Sequence, residues 1–277
     1  MIKRNRPLAE WFNAREWVDA LCPACRLGML RAEPAHKHES TESRNAQGVV
    51  GWDPDWVHGY FTSVLRCQRA SCQEITVAMG RWCVRENNNE FGQNFDDYFL
   101  LQMTVPPLPI MYIPDGCPAP VSGVVDSAAQ VMWVDPSAAA NRLRIAVEQL
   151  LDAHDIPRTK TEATKESPLN LHKRIDLLRA THPSAADLLE AVKWIGNQGS
   201  HEDTLRVSDV LEGAQLFERA LAQMYDTTPA ELQRRAAQIN KARKFVLLSA
   251  SQIADGDRVE RLGERAAPDP SWTDSST

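Results

Sequence analysis

The stretch DPSAAANRLRIAVEQLL, residues 135–151, is where the sequence changes period. Asp135 ahead of Pro136 reads as an N-cap followed by proline at the first helical position. Leu143, Val147, Leu150 and Leu151 then fall at helical spacing. The same period continues downstream. Leu171, Ile175 and Leu178 mark a second helix. A third starts at Ser184 and carries Leu188, Val192 and Ile195, and a fourth carries Leu211, Ala214, Phe217 and Leu221. A fifth opens on Thr228-Pro229-Ala230-Glu231, a capping box with proline in its first turn, and carries Leu232, Ala236 and Ile239. Short connections predict an antiparallel helical bundle over residues 136–250.

Upstream the period is two. GYFTSVLRC at 59–67, EITVAMGRWCVR at 74–85, in which Ile75, Val77 and Met79 alternate, and DDYFLLQMTV at 96–105 are separated by turn residues and predict short strands. Residues 1–105 are therefore expected as a mostly β module. Between the halves, Pro106, Pro107, Pro109, Pro114, Pro118 and Pro120 predict a semi-extended connector over 106–135 with no helix across 106–123. The C-terminal extension, 251–277, ends in APDPSWTDSST, a polar, proline-rich tail expected to be disordered at its end. The fold class read from these pieces is α+β.

Composition limits the function. Of 277 residues, 43% are hydrophobic and 25% charged, with 31 Lys+Arg against 37 Asp+Glu for a net charge of -6. This is enough apolar material for a core, which excludes wholesale disorder. The mild acidity excludes a generally basic nucleic-acid-coating protein but leaves room for a local basic patch. No apolar run reaches the ~18 residues of a membrane span. The opening MIKRNRPLAEWF lacks the apolar stretch of a secretory signal. The expected location is cytoplasmic, away from membranes.

Six cysteines, at 22, 25, 67, 72, 83 and 117, point to metal rather than disulfides in such a compartment. Cys22-Pro23-Ala24-Cys25, followed by Gly28, lets two thiolates reach one ion while backbone N–H groups point at the sulfurs. Cys67 and Cys72 are separated by four residues, QRAS. On a helix they would diverge, but in a loop between strands they can converge. Four thiolates would close a tetrahedral, structural zinc site. The insert between the pairs carries His36 and His38, which are alternative ligands or an exposed loop. Cys83 and Cys117 are expected as small buried residues, and Trp52, Trp56, Trp82, Trp133 and Trp194 as core.

The third helix runs into LLEAVKWIGNQGSH, residues 188–201. If it continues, Lys193, Asn197 and His201 line one face at steps of four and can address a phosphate. If the glycines interrupt it, Gly196 serves close packing or a C-cap, and Asn197 and His201 satisfy backbone groups at a turn. Arg144 and Glu148 form an i,i+4 pair on the first helix or contact this turn. Arg234, Arg235, Lys241, Arg243 and Lys244 on the fifth helix form a basic cluster that either tracks a nucleic-acid backbone or is a solvated face.

NRLRIAVEQLL at 141–151, LHKRIDLL at 171–178, LLEAVKWIGNQGSH at 188–201 and SDVLEGAQLFERALAQMYD at 208–226 together resemble the domain-of-unknown-function family numbered 4145. Members of that family often carry paired cysteines N-terminally. The family is similar to the HEPN superfamily of helical bundles, which includes metal-independent ribonucleases, toxins and components of bacterial anti-phage defence. The HEPN motif is an Arg, a polar residue and then a His. Asn197 and His201 match the last two, and Gly196 stands at the Arg position. A ribonuclease of that kind uses the His for protons and the Arg as a bidentate phosphate grip. Lys193 is a point charge without that fork. The resemblance therefore implies a zinc-ribbon-like module ahead of a HEPN-like bundle. It points to a non-catalytic binding or assembly protein of defence or nucleic-acid metabolism, paired as a homodimer through its helices. RNA, DNA or a protein encoded nearby is the partner. The alternative is a HEPN-type endoribonuclease using His201, Asn197 and Lys193.

Overall fold

The computed structural model describes residues 6–13, 17, 20–89, 92–162, 165–199 and 205–226, together with 233, 234, 236, 237 and 239–241. Residues 1–226 form one compact unit and 227–277 a second.

The first unit is mixed α+β. Its N-terminal part is a seven-stranded sheet in the order β1 (Phe12–Asn13), β7 (Gly92–Val105), β6 (Ile75–Asn89), β5 (His58–Cys67), β3 (Met29–Ala32), β2 (Ala20–Leu21). A further strand, β4 (His36–Glu39), pairs with β5 alongside β3, and every pairing is antiparallel. A short helix, α1 (Thr41–Ala46), follows β4, with Ser40 accepting from the Ser43 N–H. The three long strands are those the alternating pattern predicts.

Alternation puts Phe61 and Leu65 of β5, Ala78 and Trp82 of β6, and Phe99 and Leu101 of β7 on the covered face. Phe61 and Phe99 meet edge to face at 4.7 Å between ring centroids, and Phe12 meets Trp17 the same way at 4.9 Å. The residues whose alternation is most visible, Ile75, Val77 and Met79, lie on the opposite face, exposed.

The helical part comprises α2 (Ala119–Val131), α3 (Pro136–Ala153), α4 (Leu171–Arg179), α5 (Pro183–Gln198) and α6 (Val207–Tyr225). A two-stranded hairpin, β8 (Thr159–Glu162) and β9 (Lys165–Pro168), separates α3 from α4. Asp135 caps α3 as expected, its carboxylate accepting from the Ala138 N–H at 2.8 Å. The predicted stripes are buried: Leu143, Val147, Leu150 and Leu151 on α3, Leu171, Ile175 and Leu178 on α4, and Leu211, Ala214, Phe217 and Leu221 on α6. Each such Val, Leu, Ile or Phe side chain contributes roughly 1.5–3 kcal/mol.

Helix α2 corrects the expectation of an extended connector. Pro118 is its N-cap and Pro120 lies in its first turn. There proline costs nothing, because the first-turn N–H groups have no helical partner and the fixed φ is already helical. Val121, Val125 and Ala128 bury the helix against α3. Leu108, Ile110 and Met111, ahead of it, are buried too, so the apolar core is continuous from the sheet into the helices.

Among the tryptophans, Trp82 and Trp133 are core as expected. Trp56 and Trp194 are exposed, which corrects the expectation for those two, and Trp52 is half-buried. Cys83 and Cys117 are half-buried rather than buried. Of the fifth predicted helix, the described residues are helical and Arg234 and Lys241 are exposed. Arg235, Arg243, Lys244 and the whole C-terminal extension, 251–277, lie outside the described residues.

Candidate metal centre

The first cysteine pair sits in the turn between β2 and β3. The Cys22 N–H donates to the Gly28 carbonyl at 2.9 Å and the Arg26 N–H to the Cys22 carbonyl at 3.0 Å. This winds residues 22–28 into a knuckle. Arg26 takes a left-handed φ of 52°, which swings the chain back so that the Gly28 N–H donates to Cys25 Sγ at 3.2 Å. The second pair uses the β5–β6 hairpin. Cys67 is the last residue of β5, and its N–H donates to the Glu74 carbonyl at 2.9 Å. The Cys72 N–H donates to the Arg69 carbonyl at 3.0 Å. The strand registry brings the knuckles together: Leu30 of β3 pairs with Cys67, and the Gln68 N–H reaches the Met29 carbonyl at 2.9 Å.

Cys22 Sγ lies 3.8 Å from Cys72 Sγ, and Cys25 Sγ lies 3.8 Å from Cys67 Sγ. All four sulfurs are within 4.8 Å of one another. Zinc–sulfur bonds of about 2.3 Å in a tetrahedron put sulfurs roughly 3.8 Å apart, so four cysteines stand close enough to hold one ion. The same separations are nearly twice a disulfide bond, which is about 2.05 Å.

The thiols are not equivalent. Burial pushes Cys22 up to about 12 and also raises Cys67. At Cys25 burial acts in the same direction, but the Gly28 and Leu27 N–H groups and the Cys72 and Cys22 thiols stabilise the anion, bringing it down to about 6. Four thiolates at this spacing need a cation among them. Outside the cluster, Arg26 pairs with Asp126 of α2 at 2.8 Å, tying the first knuckle to the helices.

His36 and His38 lie on β4, exposed and part of a strand rather than a loop. Among the described residues the sulfur cluster contains cysteines alone.

The GNQG segment is helix, not turn: α5 continues through Gly196 and Asn197 to Gln198, with Gly199 as its C-cap. Gly196 is there for close approach. A Cβ added to it would lie 2.6 Å from the Arg144 Cβ and 3.0 Å from the Ala140 carbonyl oxygen of α3. Arg144 also pairs with Glu148 at 3.1 Å, so it does both things the sequence allows. Lys193 is 3% exposed. Its Nζ lies 3.2 Å from His172 Nδ1, 3.6 Å from Glu190 Oε1 and 3.8 Å from the Trp194 ring centroid. Asn197 is half-buried, and His201 lies outside the described residues.

Sequence reasoning missed the network Lys193 joins, because it is assembled across two helices. Arg179 of α4 pairs with Glu190 at 2.7 Å and with Asp187, both on α5. His172, Asp176 and Glu190 also cluster as metal ligands do, but Lys193 and Arg179 already supply the positive charge there.

Fold and site thus define a mixed α+β protein: an antiparallel sheet that gathers four cysteines, joined to a helical part. Residues 126–242 match the family described as Domain of unknown function (DUF4145), in line with the resemblance carried by the helical segments. Residues 10–102, spanning all four cysteines, match the family described as Domain of unknown function (DUF8608). No curated protein and no solved structure matches the chain. No described helix is long and apolar enough to cross a membrane.

Proposed function

We propose that the chain is a zinc-stabilised, non-catalytic binding or assembly protein, with Cys22, Cys25, Cys67 and Cys72 as the zinc ligands. The observation that carries this is the sulfur cluster. Four cysteines supply all four tetrahedral positions and leave none open for water or substrate, which is the arrangement of a structural site. The free state of all six cysteines fits a reducing, cytoplasmic setting. Lys193 and Gly196 support the same reading, since the first is occupied within an ion network and the second with helix packing. The resemblance to HEPN-like bundles supplies the context: bacterial defence or nucleic-acid metabolism, a homodimer through the helices, and RNA, DNA or a neighbouring gene's product as partner.

Protein prepared without chelator is expected to carry one equivalent of zinc by elemental analysis and to leave single-stranded RNA intact in EDTA. Less than about half an equivalent of any metal would remove the zinc reading. RNA cleavage in EDTA that disappears in His201→Ala would replace the binding reading with a HEPN-type endoribonuclease. Light scattering at micromolar concentration tests the dimer, and a monomer mass would overturn it.

A further inference from the structure

We propose that the outer face of the sheet binds single-stranded nucleic acid. Strand registry sets the side chains of this face in rows. At one end Arg31 of β3 lies across from Arg66 of β5. Farther along, His38, Tyr60, Arg81 and Leu100 form a row across β4, β5, β6 and β7. Arg66 and Tyr60 are six residues apart on β5, which is roughly 20 Å. Arg85 continues the face beyond Arg81 on β6. Cations therefore stand at both ends, and the rows between them are apolar, with Val77 and Met79 exposed.

These cations are available to an anion. Arg31, Arg81 and Arg85 are exposed and make no ion pair among the described residues. The Arg81 and Arg85 guanidinium groups lie over the Trp11 ring, 5.8 and 4.9 Å from its centroid, and Arg85 also lies 5.0 Å from that of Tyr98. Stacking holds a guanidinium in place and leaves its N–H groups to meet a phosphate. The neighbouring carboxylates are occupied. Glu33 pairs with Arg66 at 3.0 Å. Asp96, across from Arg85, accepts from the Asn13 and Asn87 amides at 3.2 and 2.7 Å. In the middle of its row Tyr60 is 60% exposed and presents its ring to solvent.

This pattern selects the ligand. Separated cations with an exposed ring and apolar rows between them match a polymer that repeats an anion and a flat, stackable group. A single nucleic-acid strand has one phosphate and one base in every nucleotide. A duplex hides its base faces, and an acidic peptide has no ring in every unit. The inference rests on the nucleic-acid part of the proposed function, not on zinc, and it places that partner on the sheet rather than on the fifth predicted helix.

The test is fluorescence anisotropy of the full chain with a labelled oligothymidylate of about twelve nucleotides, competed by duplex DNA of the same length and by poly-L-glutamate. The parent should bind with a Kd of about 10 μM or tighter at about 50 mM NaCl. The logarithm of its affinity should fall against that of salt with a slope of roughly −2, as for three neutralised phosphates. Tyr60→Ala should weaken binding about tenfold and keep that slope. Arg31→Ala should weaken it several-fold and reduce the slope by about 0.7. Both positions are exposed, so Tm should hold, and each variant carries the test alone if the other does not fold. Lys173→Ala, on α4, should bind as the parent does. Undiminished binding by Tyr60→Ala or Arg31→Ala would overturn the proposal and leave a nucleic-acid partner bound elsewhere. Displacement by duplex or by poly-L-glutamate as effective as by unlabelled oligothymidylate would replace the single strand as ligand. No saturable binding by the parent would remove both this inference and the nucleic-acid part of the proposed function.

Discussion

Gly28 shows how closely the chain is drawn around the sulfurs. A Cβ built on it would lie 2.5 Å from Cys67 Sγ, 3.0 Å from the Arg69 Cβ and 3.4 Å from Cys25 Sγ. The first of these contacts forces a shift, and the atom that would shift is a proposed ligand. Gly28→Ala is therefore expected to spread the sulfurs. It should lower zinc affinity by at least tenfold in a competition titration with a chromophoric chelator and lower Tm by a few degrees, the usual result of overpacking by about 1–3 kcal/mol. An alanine variant with unchanged affinity would mean that Cys67 is not a ligand. The neighbouring backbone also matters to the chemistry. Gly28 and Leu27 N–H groups bring Cys25 down to about 6, while burial takes Cys22 up to about 12. Binding a cation at the cluster should release protons from the thiols.

Helix ends meet at His154. It closes α3, and its Nε2 lies 2.9 Å from the hydroxyl of Tyr225, the last residue of α6. Its ring packs edge to face on that of His182, the N-cap of α5, at 5.6 Å. Burial first, and then the second imidazole, hold His154 below its ordinary value of 6.5. With the folded value depressed, neutral His154 contributes stability above about pH 6.5, and that contribution is lost as pH falls through the folded value. Tm should therefore drop from pH 7.5 to 5.0 in the parent and drop less in His154→Gln; equal slopes in the two proteins would remove His154 from the acid response. At this scale the sequence was informative where burial has a simple period. Leu143, Val147 and Leu150, or Phe217 and Leu221, announce their helices because one face of each meets the core. It misled where one residue type has two meanings. Pro118 and Pro120 read as breakers but start α2, because a first-turn proline breaks no hydrogen bond. Ile75, Val77 and Met79 announce β6 correctly, yet alternation alone does not say which face is covered.

Across the whole of residues 1–226, sheet and helices share one core. Leu8, Phe12 and Phe99 belong to it, as do Leu108, Ile110 and Met111 of the connecting segment and Val121, Leu143 and Phe217 of the helices. The cysteine cluster was legible from spacing because two short-range pairs each form a local turn, and the antiparallel β3–β5 pairing then brings them together. The role of Lys193 was not legible. Its burial depends on α4 lying against α5, which places His172 beside it, and no short-range pattern encodes that contact. The continuous core also bears on what metal loss does. Two modules joined by an extended connector would unfold separately, the cysteine module first. A shared core, with α2 packed on α3 and Arg26 paired to Asp126, couples the cysteine knuckles to the helices. The exposed ion pair itself contributes little; the apolar contacts carry the coupling. Chelation under thiol reductant should therefore shift one calorimetric transition downward rather than split it. A bound zinc ion would stabilise the folded state by mass action, and at this size each kcal/mol lost is about 2–4 °C. Near-UV circular dichroism should lose the Phe, Trp and Tyr signals of sheet and helices together. A chelated protein that melts in two steps, with the helical signal holding to the parent's temperature, would show that the cysteine module unfolds on its own.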